Sequence, residues 1–493
     1  MSSGKWYWEG TYGQGGTAGS SGFGIAKQPI NLSDAAGQSN AYVYHSNGNK
    51  YVNGSVSAFG ATYTTGDIIG IAFNADTGEL FGYKNGILQG TITTGLTTGP
   101  YFAIANSYNS SSWDLNFGQR AFAYQTPGTN RPAATFLALC DTNLPAPLVA
   151  KPNTVMDVVT YTGTGSNLTL PNGSSTPTSI AFTPDFVWLK GRSGATDHAL
   201  YDAVRGVQKE VSSNNTSAET TETTGLTAFG TNTFTVGSLA RLNTSSATYV
   251  AWAWNAGGST VTNTAGSITS QVRANPTAGV SIVSYTGIGA GQPIDTIGHG
   301  LGVSPVMVLA KNRDIDNFLV TRSDFPNPLR GHMYLNSTAG VANVTVDAFS
   351  FSSTTVGLRQ SSMCSAAGQR IILYVFAPVV GYSAFGRYTG NGSTDGPFVY
   401  TGFRPRWILF KKSSASQNWH LIDTARDPYN IAGNELYPDL SLQESGGYGN
   451  VSRIDVVSNG FKIRTSNDGY NGSAGTYIFA AFAENPFQYA RAR

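Results

Sequence analysis

Three stretches open alike: Val159-Thr160-Tyr161-Thr162-Gly163, Val283-Ser284-Tyr285-Thr286-Gly287 and Gly386-Arg387-Tyr388-Thr389-Gly390. Each is followed by a proline and an apolar run ending in lysine: Pro184 to Lys190, Pro305 to Lys311, Pro405 to Lys411. A shorter polar-to-aromatic run comes next: His198 to Asp202, Asn317 to Thr321, Trp419 to Asp423. Phe234, Phe349 and Phe461 stand later in similar short strands. Each unit closes on a ring-bearing run: Tyr249 to Trp254, Ile372 to Phe376, Tyr477 to Phe482. Order is preserved, and the separation from the lysine to the last ring is nearly constant. Recurrence at a fixed period marks repeated architecture, so the reading is one β-sandwich of about 100 residues built three times.

Apolar positions alternate with period 2, and turn signals interrupt them; few windows carry the 3.6-residue period of a helix. Asp67 to Phe73, Glu79 to Tyr83 and the intervening Asn74 to Gly78 read as strand, strand and turn. Asn85-Gly86 is a hairpin signal, because a type I′ turn needs positive φ at both central positions. The fold class is therefore all-β.

Composition narrows function. The chain has 493 residues, of which 12% are charged, and a net charge of +2; globular proteins usually carry about 25% charged residues. That balance removes the electrostatic case for nucleic acid and for a polybasic membrane surface. Aromatics reach 12% and glycine numbers 59, the reverse of a disordered composition. No apolar stretch approaches the ~18 residues that cross a bilayer. The start lacks the apolar core of a signal peptide. Cys140 and Cys364 form neither a disulfide framework nor a zinc pattern.

Residues 3–124 hold a recognisable order. They begin with Gly4-Lys5-Trp6-Tyr7-Trp8-Glu9, then Gly22 to Ala26, Gly66 to Phe73 and Gly82 to Gly86. They close with Pro100 to Ala105 and Trp113 to Gly118. This order resembles the SPRY domain, which implies a two-sheet β-sandwich related to concanavalin-like folds. The expected division is a SPRY-like sandwich over 1–124, a connector over 125–153, repeats over 154–258, 279–380 and 381–493, and a linker or exchanged arm over 259–278. Phe136 to Pro145, the repeats and the closing Ala483-Glu-Asn-Pro-Phe487 resemble C-terminal modules of tailed-phage proteins. With the SPRY-like head they resemble a phage tail fibre or spike.

That resemblance implies a virion structural protein made in the host cytoplasm. Its implied partners are other virion proteins and a host-surface glycan or protein receptor. It implies a homo-oligomer, a trimer by analogy with phage fibres. The chain begins almost at its first core strand, so the SPRY-like domain is expected to dock to the particle. No cofactor, metal or catalysis is expected. The alternatives are a polysaccharide depolymerase and a capsid or baseplate decoration without host contact.

Candidate chemistry is sparse. The five histidines form no HxxxH or HExxH pattern; His198 and His420 occupy about the same place in copies one and three and read as structural. Carboxylates beside aromatics are Glu9 and Asp114, and Asp427, Glu435 and Asp439. A glycosidase needs two such groups about 5–9.5 Å apart in a cleft; capping of turns and pairing with arginine is the plainer role. Tyr and Trp rings stack on sugars while neutral polar groups meet hydroxyls. Turn-rich aromatic segments give the binding candidates: Tyr44 and His45, Tyr108 and Asn109, and on the third copy Tyr448 and Tyr470. Trp6, Trp8 and Trp113 are read as core.

Overall fold

The computed structural model describes the chain apart from residues 2, 14–20, 28–38, 108–109, 125–134, 141–142, 144–146, 290–293, 316, 347, 360–363, 445–452 and 487–493. It divides into two compact units, Met1–Pro145 and Ala146–Arg493.

The first unit is a sandwich of two antiparallel sheets. One runs Ser112–Asn116, Lys5–Gly13, Ile68–Asn74, Glu79–Lys84, Ile87–Thr93; the other runs Ser55–Ala58, Asn49–Val52, Ala41–His45, Gly22–Ala26, Phe102–Asn106. The Asn85-Gly86 turn forms as its sequence requires, with φ of 47° and 76°. Trp8, Phe23, Ile25, Tyr44, Ile69 and Ile71 fill the space between the sheets. Trp6 and Trp8 are buried, and Trp113 is partly buried, stacked on Phe23 at 4.8 Å. The connector is not wholly outside this unit: Leu137–Ala138 adds in parallel to Lys5–Gly13.

In the second unit one topology occurs three times. Each sandwich has a sheet ordered opening strand, closing strand, lysine strand, fourth strand. In the first copy these are Met156–Thr162, Thr248–Trp254, Phe186–Gly191 and Ala199–Asp202. In the second they are Val280–Thr286, Arg370–Phe376, Met307–Asn312 and Phe318–Arg322. In the third they are Ser383–Thr389, Thr476–Pro486, Phe403–Lys412 and His420–Asp423. A three-stranded sheet covers one face of each. Register repeats too: Phe186 pairs Trp254, Met307 pairs Phe376 and Trp407 pairs Phe482.

Register also refines the alignment. Leu189 pairs Ala199 and Phe410 pairs His420, so His420 corresponds to Ala199, and His198 corresponds to Trp419. The two histidines are one residue apart and face opposite sides of their sheets, as a one-residue shift in a strand demands. Phe234 and Phe461 correspond, each paired to the outer strand of its small sheet, but their counterpart in copy two is Val356. Phe349 sits one strand further on, paired with Leu358.

Residues 259–278 are not a linker. Val261–Asn263 and Ser270–Asn275 form two strands that extend the second copy's sheet beyond its opening strand. Arg273 on this arm ion-pairs Asp185 of the first copy.

Apart from the third copy's opening strand Ser383–Thr389, the four strands common to the copies are largely buried on both faces, which is why they read as apolar runs. In the first copy Val159, Tyr161, Val187 and Leu189 face the small sheet, while Val158, Trp188, Trp252 and Trp254 face the other two copies. The outward faces of all three sheets meet in one shared core that includes Trp252, Tyr374 and Trp407.

Around that core the copies join head to tail, one to two, two to three, three to one. The backbone N–H of Glu219 donates to Arg313 O at 2.7 Å, that of Val341 to Ser413 O at 2.8 Å, and that of Glu444 to Arg192 O at 2.9 Å. Such a heterologous contact forms a closed ring when the rotation returns on itself. Here it does so within one chain.

Candidate functional site

The six binding candidates do not come together. Tyr44 is a core residue, fully buried, with its hydroxyl bonded to Ala61 O. His45 is 4% exposed and lies on Tyr51, ring centroids 4.7 Å apart. Both lie on the strand Ala41–His45, where the alternation read as a turn-rich loop instead fills the sandwich. Tyr470 is also buried, inside the third copy. These three are corrected from surface contacts to interior residues. Tyr108, Asn109 and Tyr448 lie outside the described residues.

The carboxylates are likewise engaged. Glu9 accepts from Tyr7 Oη at 2.9 Å and from the backbone N–H of Ala123 at 2.8 Å. Asp114 is an exposed partner of Arg120 at 2.6 Å. Asp427 caps the backbone N–H groups of Gly433 and Asn434 at 2.9 and 2.7 Å. Asp439 accepts from the backbone N–H of Trp419 at 3.0 Å, and burial pushes its carboxyl up to about 6.

Glu435 is the centre of a buried polar cluster in the third copy. It is fully buried and bonds His420 Nδ1 at 3.0 Å, Arg453 at 3.0 Å, and the hydroxyls of Tyr437 and Tyr470. Burial opposes its charge, yet His420, Arg453 and Tyr437 outweigh burial and hold it down to about 2. Burial keeps His420 below the usual histidine range despite Glu435. Its Nε2 is buried without a hydrogen-bond partner, and Gly469 leaves the room it occupies: a Cβ there would stand 2.9 Å from it. A glutamate fills the same place in the first copy. Leu200 bridges Val211 as Leu421 bridges Leu436, so Glu210 corresponds to Glu435. Glu210 bonds Tyr201 and Arg241, but there burial prevails and its carboxyl is raised.

The junctions hold further buried charge. Lys190, Lys311 and Lys411 are each fully buried at the same register. Lys190 Nζ donates to Ser441 O of the third copy at 3.2 Å, and Lys411 Nζ to Thr338 O of the second at 2.7 Å. Burial pushes both amines down to about 8. His198 uses both ring nitrogens: Nδ1 accepts from Trp188 Nε1 at 2.8 Å, and Nε2 donates to Tyr437 O at 2.9 Å. This arrangement fixes one neutral tautomer, and burial lowers its affinity for a second proton. Lys190, Lys411 and His198 thus bind neighbouring copies.

What remains for a ligand is the outer surface, where the copies differ. Leu170, Ile297 and Val399 correspond, each pointing inward from the edge strand of its small sheet. The residues before them are Thr169, Thr296 and Phe398, and those after them are Pro171, Gly298 and Tyr400. Phe398 and Tyr400 are 47% and 43% exposed. The sequence signal for this pair was a ring at an outward position where two sibling copies carry threonine, visible only once the edge strands are aligned.

Comparison with known proteins agrees with the division into two units. Residues 151–486 match the model of a family described as a domain of unknown function (DUF7483), and residues 5–120 match the SPRY domain. Ran-binding protein 9 of Xenopus tropicalis is 33% identical over 112 residues, 22% of this chain and 20% of that protein. Ran-binding protein 10 of Danio rerio is 31% identical over 124 residues, 24% of this chain and 20% of that protein. The chain thus spans about a fifth of the length of the curated relatives it matches. The crystal structure of the SPRY domain of human HERC1 aligns with a TM-score of 0.22 at 18% identity, covering 24% of this chain and 79% of that one.

Proposed function

The chain belongs to the family of the domain of unknown function DUF7483, and we propose that it is a structural and recognition protein of a tailed-phage virion. In this reading it is part of a tail fibre, spike or comparable appendage and carries no catalytic step. The N-terminal SPRY domain docks to other virion proteins, the ring of three sandwiches is a stiff body, and the outer surface of that body meets a host-surface glycan or protein. The sequence resemblance to phage modules supports the setting. The observation that carries the mechanical role is the closed ring, in which three sandwiches share one core and spend their buried charges on one another. Such a body transmits position without hinges between its members. A homotrimer of the whole chain would add a second level of threefold grouping, which sedimentation of the purified chain measures directly.

Antibody labelling of intact particles in the electron microscope tests the setting. Label on a tail appendage is the expected result, and particles that carry none overturn it. Particles assembled with a chain lacking 1–145 test the docking role: they should lack the remainder. Purified chain should compete with particles for adsorption to host cells; failure to compete removes the recognition role and leaves a scaffold.

A further inference from the structure

We propose that Phe398 and Tyr400 form a stacking platform for an uncharged saccharide on the outer sheet of the third sandwich, an inference that rests on the recognition reading above. The three copies supply an internal control. With backbone and register shared, the first two copies fold with threonine where the third has Phe398, and with Pro171 or Gly298 where it has Tyr400. The rings are therefore not demanded by the fold. In the first copy the outward position is occupied by a threonine pair, Thr169 and Thr235, 3.0 Å apart. In the third copy the corresponding pair is Phe398 and Lys462, so a ring stands where the first copy has a hydroxyl.

The floor beside the rings is bare. Gly460 is the cross-strand partner of Tyr400, and a Cβ there would come within 3.1 Å of the Phe398 ring and collide with Val399 O. Phe398 thus lies over a glycine. Its rim is electrically closed. Lys462, the cross-strand partner of Phe398, turns to Asp395 at 2.8 Å and Gly396 O at 2.9 Å. Arg464 turns to Asp455 at 3.3 Å. Paired charges offer a phosphate, a sialic acid or a nucleic-acid backbone no unspent cation, so the surface complements a neutral polar ligand.

Size separates a sugar from a protein. Rings of this kind bury ~150–250 Å² each, so two rings a little under half exposed leave roughly 150–200 Å². A stable protein interface takes about 800 Å² from each partner. The platform is several-fold too small for that, and two ring-bearing positions on one face of one strand, whose backbone advances about 6.6–6.8 Å between them, suit an oligosaccharide laid along it.

The test uses the full chain, with immobilised neutral polysaccharides (a β-glucan, a galactan, a mannan) and anionic ones (hyaluronate, polyphosphate) as probes. The parent should be retained by at least one neutral probe, with little dependence on salt. The variant carrying Phe398→Thr and Tyr400→Thr should lose that retention at least tenfold while melting at the same temperature; Tyr400→Phe, which keeps the ring, should retain most of it. Retention by no neutral probe, by anionic probes alone, or equally by parent and double variant overturns the platform. Adsorption of the same proteins to host cells separates the two levels. Equal adsorption of parent and double variant removes the platform alone, whereas no adsorption of the parent removes the recognition reading itself.

Discussion

The junctions from the first sandwich to the second and from the third to the first are ionic networks, whereas that from the second to the third rests on cations that donate to backbone carbonyls, Arg322 to Phe479 O and Lys411 to Thr338 O. Asp202 and Asp423 end corresponding strands, and each is bound by an arginine three residues on: Arg205 at 2.5 Å and Arg426 at 2.6 Å. Those arginines reach Glu219 and Glu444, which in turn hold Arg313 and Arg192 of the adjoining copy. The second copy has Phe325 where the arginine stands, Val341 where the glutamate stands, and Ser413 as the neighbour's residue. Its Arg322 takes the aspartate's place and donates to Phe479 O of the third copy at 2.9 Å. The reversal is matched across the junction. Asp202 accepts from Tyr374 Oη and Asp423 from Trp252 Nε1, both at 2.9 Å, but the corresponding residue of the third copy is Ala480, which has no donor. One geometry is thus satisfied by an ionic network that crosses the junction or by an arginine paired within its own copy, Arg322 to Asp324 at 2.7 Å, with Phe325 and Val341 in the places of the other charged residues. The mismatch between the two chemistries penalises exchange of the second copy's junction with either of the other two, a form of specificity by penalty.

Breaking the ionic junction should have the largest effect. Asp423→Ala leaves Arg426 buried with one carboxylate fewer, and removal of one member of a buried pair costs about 3–5 kcal/mol. In a denaturant titration the transition of the second unit should move to lower denaturant, while that of the first unit stays in place. A shift below 1 kcal/mol would show that the junction is not closed as described.

The two corresponding glutamates give the next contrast, in acid. Glu435 has its folded pKa depressed to about 2, so the stability it contributes is full above the unfolded value near 4.5 and is lost as pH falls toward 2. A depression of that size is worth of order 3 kcal/mol. Glu210 is raised instead, and protonation favours its folded form. Glu435→Gln should therefore flatten the acid limb of the second unit's stability profile, and Glu210→Gln should leave that limb standing. Equal flattening by both would mean that the environments of the two copies do not differ.

Trp252→Phe and Tyr374→Phe sharpen the same comparison at smaller cost. Each removes a donor from a buried carboxylate that keeps its arginine, and an unmet buried hydrogen-bonding group costs about 1–3 kcal/mol. Tyr374→Phe also takes away the hydroxyl to which Arg205 donates at 3.1 Å, and Trp252→Phe also leaves a cavity in the shared core. Both should lower the denaturation midpoint of the second unit, and a variant that unfolds with the parent would mean that its donor is not engaged across the junction.

How much of this was legible follows from what each residue's role depends on. The buried lysines and the ring-bearing closing strands could be aligned because they lie on central strands, where both faces are packed and identity is restricted, and the openings because each carries a buried tyrosine, Tyr161, Tyr285 and Tyr388, whose hydroxyl donates to a backbone carbonyl, that of Leu242, Cys364 and Tyr470. The pairing of His198 with His420 slipped by one, since a strand carries no mark of its register until its partner is known. Phe349 was matched to the wrong strand because short outer strands differ in length between copies. The arm at 259–278 is rich in Thr, Ser and Asn, as a linker is, yet the open edge of the second copy's opening strand recruits it. Tyr44 and Tyr470 were read outward because tyrosine serves core and surface equally; a partner such as Ala61 O or Glu435 is set by tertiary contact alone. Phe398 and Tyr400 escaped notice for the opposite reason, as rings that look like core until the inward position is assigned to Val399.

The smallest expected effect bears on that last pair. Phe398→Thr places in the third copy the residue that two siblings carry at the same register, and surface changes away from special features stay within about 0.5 kcal/mol. The reciprocal change, Thr169→Phe, breaks the Thr169–Thr235 contact and adds a ring to a surface that has none there, again with little effect on melting. A drop of more than about 1 kcal/mol for Phe398→Thr would mean that the ring supports the fold after all, so that the divergence between copies reports packing. Near neutrality would mean that a residue costly to expose and idle in stability is kept at one site of three.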